Sequence, residues 1–233
     1  MANPGHEQGL HSMQYQWQFA IVLEYWPIFA RGAVTTLQIT LLSSIIGLFI
    51  GLLVGVSRES AGTAVRVVTS IYVELIRATP ALVQIVWLYY CFPIIFGVQL
   101  SAMTSIIVAL GIHSGAYISE IVRAGINAVD TGQFLAAKSI GMNHFTALRR
   151  IILPQAGQKM IPPLINEFAN LMKLTTLGST IAVYELLQES NNLIATTYRP
   201  LEIYTFLAIF FFIITYPWIW LSQRLERRLK MRA

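Results

Sequence analysis

The chain is predicted to be all-α, a polytopic membrane protein with about five transmembrane helices. Three observations carry this. Charged residues make up only 12% of 233 against 55% hydrophobic, whereas a soluble domain carries about 25% charged residues. Five apolar stretches each approach the ~20 residues that a spanning helix needs. The basic residues gather in alternate connections, which is a topology signal. The formal net charge of +5 therefore reads as orientation in a membrane rather than as an interface for nucleic acid.

Residues 1–32 read as an external, interfacial segment. Met1 to Ala30 contains no Lys or Arg, so no charged signal-peptide start is expected, and Tyr15, Trp17, Tyr25 and Trp26 suit a membrane boundary. The membrane region, 33–222, opens with a span from about Ala33 to Val56. The second stretch, about Val67 to Ile95, contains Pro80 and Pro93. It is either one kinked helix or a helix followed by a re-entrant or tilted piece. Proline removes a backbone donor, so the break must lie where another group satisfies the freed carbonyl. The third span runs from about Ala102 to Ile121, the fourth from about Ile161 to Leu187, and the fifth from about Ile203 to Leu221, before a basic cytoplasmic tail over 223–233.

Arg58 and Arg66, then Arg123, Lys138, Arg149, Arg150 and Lys159, then Arg224, Arg227, Arg228, Lys230 and Arg232 all fall on one side of a five-span arrangement. Only Arg31 and Arg199 fall opposite. The N-terminus is then outside and the C-terminus cytoplasmic. The single cysteine, Cys91, reads as a small apolar filler. The four histidines, at 6, 11, 113 and 144, are scattered. No paired carboxylates, metal-ligand cluster or nucleophile–base set is present, which sets aside a membrane enzyme. The length also leaves no room for a nucleotide-hydrolysing domain of about 100–200 residues.

The one long polar connection, Asn127 to Lys159, reads NAVDTGQFLAAKSIGMNHFTALRRIILPQAGQK. Asp130 or Thr131 can cap a helix, Gly141 can end it, and a second short helix starts near Asn143 and runs into Leu153-Pro154. Phe134, Leu135 and Met142 are apolar groups with no bilayer around them. By pattern alone the loop either packs on its own spans or docks a partner.

This segment resembles the EAA loop of ABC importer permeases, whose frame is filled here by Leu135-Ala136-Ala137, Gly141, Ile151, Leu153 and Pro154. The flanks resemble the polar amino acid branch of that family: Tyr72, Glu74, Arg77, Thr79, Pro80 and Gln84 upstream, Gly115-Ala116-Tyr117 with Glu120, Arg123, Ala124 and Gly125, then Gly132-Gln133, Gln155-Ala156, and Lys173 with Thr175-Thr176-Leu177. The matches extend from about Thr36 to Arg228. Leu135 stands where the family has an acidic residue, and Leu174 stands where Asp often follows the intramembrane lysine.

The resemblance implies a type I importer permease in a bacterial inner membrane. It implies pairing with a second permease subunit (homo- or heterodimer), two ATPase subunits, an external solute-binding protein and an amino acid substrate. ATP and Mg belong to the partner ATPase, with no cofactor in this chain. The helix Gln133 to Gly141 becomes the coupling helix, with Phe134, Leu135, Ala136, Ala137, Lys138, Gly141 and Met142 facing the ATPase.

Ionised and polar groups inside an apolar helix usually face a cavity. Glu74, Arg77, Asn166, Glu167, Asn170, Lys173 and Thr176 are the candidates for a solute path. Asn166, Asn170, Lys173 and Thr176 share one helix face. Glu74 and Arg77, three apart, either line that path or pair with each other. His113 reads as a satisfied core histidine, with a relay to Glu120 as the alternative. A proton- or sodium-coupled secondary transporter is the competing function, against which stand five spans in one chain and no inverted repeat.

Overall fold

The computed structural model describes residues 15–60 and 62–230. Every regular element among them is helical. A short α1 (Ala20–Glu24) precedes α2 (Trp26–Ser60), a 35-residue helix roughly 50 Å long. It exceeds the expected first span at both ends, because Trp26-Pro27 starts a helix well and Arg31 is tolerated near its exposed end. Residues 1–14 and 231–233, part of the expected external segment and basic tail, lie outside the described residues.

The second apolar stretch is two half-helices. α3 (Thr63–Ala78) ends before Pro80, and α4 (Ala81–Val86) continues through a wide π turn (Trp87–Cys91) into α5 (Phe92–Phe96). The two arms meet at 105°. α6 (Ala102–Asn127) is capped by Ser101, whose hydroxyl accepts from the Thr104 N–H at 3.0 Å. It runs six residues past the expected end, because Glu120 and Arg123 bond each other at 2.7 Å.

α7 (Thr131–Ser139) is the expected loop helix. The expected separate helix after Asn143 is instead the start of the next long helix. α8 (His144–Ala147) passes through a π turn (Leu148–Ile152) into α9 (Leu153–Leu174) without a break. Both π turns end two residues before a proline, Pro93 or Pro154, whose missing N–H frees a carbonyl one turn back and widens the coil. α9 also contains Pro162 and Pro163. The carbonyl of Pro162 accepts the Ser222 hydroxyl at 2.8 Å.

The expected fourth span to Leu187 stops early. α9 gives way to a 3-10 segment (Thr175–Ile181), and the buried Glu185 then caps an unforeseen α10 (Leu186–Thr197) by accepting from the Leu187 and Gln188 N–H groups. α11 (Pro200–Lys230) replaces the shorter fifth span. α2, α6 and α11 are long and apolar enough to cross a membrane, and the bent α3–α5 pair is apolar enough when taken together to be a broken span or a re-entrant loop. α9 has 22 residues, long enough to cross, but it is more polar than these.

The seam between α2 and α6 is set by glycines. A Cβ added at Gly51 would lie 2.4 Å from the Ile118 Cγ2, and one at Gly111 2.6 Å from the Ile46 Cγ2. Without a hydrophobic drive between helices in lipid, such backbone-to-side-chain approach supplies the packing. Three clusters stack along the bundle: Val22, Phe29, Leu186 and Ile203 at one end, Ile39, Ile106 and Leu110 in the middle, and Val122, Leu148 and Ile152 beside α7.

Candidate functional site

Two regions draw the candidate residues together. The first is α7. Asp130 caps it, its Oδ1 accepting from the Gly132 N–H at 2.6 Å. Gly141 ends it at φ +78°. There the Gly141 and Met142 N–H groups donate to the Lys138 and Ala137 carbonyls at 3.0 and 3.1 Å, a left-handed cap that glycine fits without strain.

The helix has two faces. Ala137 is buried, and the half-buried Phe134 packs against the cluster of Val122 and Leu148. Its ring also stacks on His144 at 5.6 Å, and His144 Nε2 lies 3.3 Å from the Glu59 carbonyl at the end of α2. Phe134 and Ala137 are thus held by their own chain. Leu135 faces outward at 66% exposure, and Ile140 at 75%. Ala136, Lys138 and Gly141 are exposed, and Met142 is half-buried. Ile140 and Phe145 are also exposed, and they add two uncovered apolar side chains in this loop to the residues read from the sequence. Their signal was available, since neither has bilayer or core to cover it.

The second region lies between α3, α6 and α9. A cavity of about 450 Å³ is lined by Arg77, Tyr117, Glu120, Lys159, Pro163 and Glu167, among others. Arg77 does not pair with Glu74. Its guanidinium lies 5.4 Å from the Tyr117 ring centroid and 3.8 Å from Glu120 Oε2. Glu120 also holds Arg123 at 2.7 Å and Arg58 of α2. One carboxylate therefore ties three arginines from three helices.

Glu167 is 8% exposed, and its Oε1 has no hydrogen-bond partner among the described residues. Its Oε2 accepts from Asn170 Nδ2 at 3.5 Å. Asn166 and Lys173 instead sit exposed on the outward face of α9. Neither side chain has a hydrogen-bond or ion-pair partner among the described residues, and the same holds for the exposed Glu74. Thr176 donates to the Lys173 carbonyl at 2.8 Å. The structure thus gathers Arg77, Glu120, Glu167 and Asn170, and leaves Glu74, Asn166 and Lys173 on surfaces that this single chain does not cover.

His113 is the satisfied core histidine that the sequence suggested. It is 6% exposed, with Nδ1 3.1 Å from Gln84 Oε1. No relay to Glu120 forms, because that carboxylate is occupied by the arginines.

Comparison with known proteins places this geometry. The model for the binding-protein-dependent transport system inner membrane component matches residues 47–231. The glutamine transport system permease protein GlnP of Escherichia coli is 36% identical over 94% of this chain and 100% of its own length. The L-cystine transport system permease protein TcyB of Bacillus subtilis is 40% identical over 88% of each chain. Among solved structures, an amino acid ABC transporter described with histidines superposes with a TM-score of 0.85 at 37% identity, covering 92% of this chain and all of that one. The methionine transporter MetNI, at 22% identity and a TM-score of 0.73 over 87% of this chain and 96% of its own, shares the fold. With the family model spanning most of the sequence and full-length relatives this similar, the chain belongs to the family of inner membrane components of binding-protein-dependent transport systems, the permeases of ABC importers.

Proposed function

We propose that this permease imports a polar or charged amino acid across the inner membrane by alternating access, driven by ATP hydrolysis in a separate ATPase. It works as one of a pair of permeases, with two ATPase subunits below and a solute-binding protein outside. α7 is the coupling helix. The N-terminus lies outside and the C-terminus in the cytoplasm, with α9 as the fifth crossing.

The observation that carries the reading is the outward face of α7. Leu135 and Ile140 stand uncovered at the end of the bundle that carries Arg58, Arg123 and Lys159. A helix too short to be stable alone is rigidly tied, through Phe134 and His144, to α2 and to the continuous α8–α9 rod. A push on α7 from an ATPase cleft would therefore move two long helices at once. Biasing an equilibrium of a few kcal/mol between outward and inward states needs no more. The relatives' glutamine and cystine substrates fit a path lined by Arg77, Glu167 and Asn170 and completed by Lys173 on the face that a second permease subunit would cover, which offers both cation and anion partners to a zwitterion.

Uptake into liposomes holding the assembled complex tests this. Labelled amino acid should accumulate only with ATP in the lumen and binding protein outside. Uptake that persists without ATP and stops with an uncoupler would instead establish a proton-coupled secondary transporter.

A further inference from the structure

We propose that Gln84 and His113 form a lock that fixes the α3–α4 break and positions Arg77 at the cavity, making both of them positioning residues for transport. Its transport consequence rests on the importer reading; the lock itself rests on the hinge geometry alone.

α3 ends inside the membrane region with carbonyls that have no intrahelical donor, since Pro80 has no N–H. In lipid such groups must be satisfied by protein. Gln84, one turn into α4, does this. Its Nε2 donates to the Ile76 carbonyl at 2.8 Å, the Thr79 carbonyl at 3.1 Å and the Thr79 hydroxyl at 2.7 Å. Carbonyls only accept, so the amide orientation is settled by its partners. Oε1 is thereby left facing His113 Nδ1, which must donate. The amide thus joins both arms of a 105° bend to α6.

α3 has its own attachment to the same point. The Tyr72 hydroxyl donates to the Ile112 carbonyl at 2.7 Å, one residue from His113. Beyond the bond, the His113 ring packs on Tyr117 at 4.9 Å, and Tyr117 carries the Arg77 guanidinium on its face. Arg77 itself sits in the last turn of α3, just before the break. The two routes, through backbone and through rings, converge on one guanidinium. A shift in the bend angle would draw Arg77 away from both Tyr117 and Glu120.

The test uses the assembled complex in nanodiscs, with amide hydrogen exchange over 76–86 and binding-protein-dependent uptake measured on the same variants. His113→Leu removes the donor at similar volume, and Gln84→Glu replaces the donating amide with an acceptor. His113→Leu should speed exchange across the break roughly tenfold, as expected for losing one buried hydrogen bond, and Gln84→Glu, which loses the contacts donated to Ile76 and Thr79, by at least as much. Both should also lower maximal uptake while half-saturation for the binding protein stays put. His113→Asn, which keeps an N–H near Nδ1, should restore both readouts. Should His113→Leu fail to assemble, Gln84→Met breaks the same bond from the α4 side. Unchanged exchange in these variants, or equal loss in His113→Asn and His113→Leu, overturns the lock. A wild-type complex that does not use ATP for uptake overturns the importer reading instead, while the exchange result still judges the hinge.

Discussion

Enlarging Gly51 should separate α2 from α6 and loosen the whole seam. A Cβ there would meet Ile118 Cγ2 at 2.4 Å, Ile118 Cβ at 2.5 Å and the Gly115 carbonyl at 3.1 Å. Ordinary carbon contacts lie near 3.5–4.0 Å, so the helices must part by about 1 Å. The gap cannot stay local. Gly47 and Gly55, one turn to each side, are also tight, a Cβ there lying 2.9 Å from Ser114 Cβ and 2.6 Å from Val122 Cβ, and a rigid helix carries the shift to both. Overpacking of this kind costs about 1–3 kcal/mol. A further loss comes from neighbouring contacts, since a gap of ~0.5–1 Å forfeits a quarter to a half of each dispersion well. Gly51→Ala should thus destabilise by about 2 kcal/mol and Gly51→Val by about 3 kcal/mol or more. Tryptophan fluorescence during heating in detergent should show midpoints lowered by about 5 °C and about 10 °C. Gly157→Ala is the control. A Cβ at Gly157 meets nothing within 4 Å, so alanine there should stabilise by roughly 0.5–1 kcal/mol. Equal midpoints for Gly51→Ala and wild type would refute the close seam.

Glu120→Gln leaves Arg58, Arg77 and Arg123 without their shared carboxylate. Because these side chains are partly solvated, the destabilisation should be only about 1–2 kcal/mol, with uptake falling further than the thermal midpoint. Gly141→Val forces a β-branched residue into φ +78° and should cost about 1–2 kcal/mol locally, read as less ATPase retained on purification of the permease. Lys173→Met removes an exposed cation near the end of α9, on the proposed solute path. Maximal uptake should drop by roughly tenfold or more while the thermal midpoint stays at the wild-type value, since no described residue pairs with it.

Apolar runs and basic clusters made the membrane architecture legible, because hydropathy and charge act residue by residue. Helix ends were less legible. Glu120 and Arg123 look like a span's end until one sees that they neutralise each other inside α6. The junction at Leu153-Pro154 looks like a stop, yet a π turn absorbs the proline. α10 was hidden because its cap is Glu185, a less common capping residue than Ser, Thr, Asp or Asn. In the candidate site, the polar residues were visible as exceptions on apolar helices. Their partners were not, since Arg77 reaches Glu120 across 43 positions of sequence rather than the nearer Glu74. The glycine spacing of α2 and α6 was present in the sequence and becomes meaningful only when the two faces meet.

The most direct measurement places a photo-crosslinking phenylalanine analogue at Leu135 in intact membranes and identifies what it captures. Docking of α7 into the energy-supplying subunit predicts a covalent adduct with the ATPase, absent when the analogue is placed at Ile45, exposed in the middle of α2. Adducts confined to lipid or to the external binding protein would contradict it.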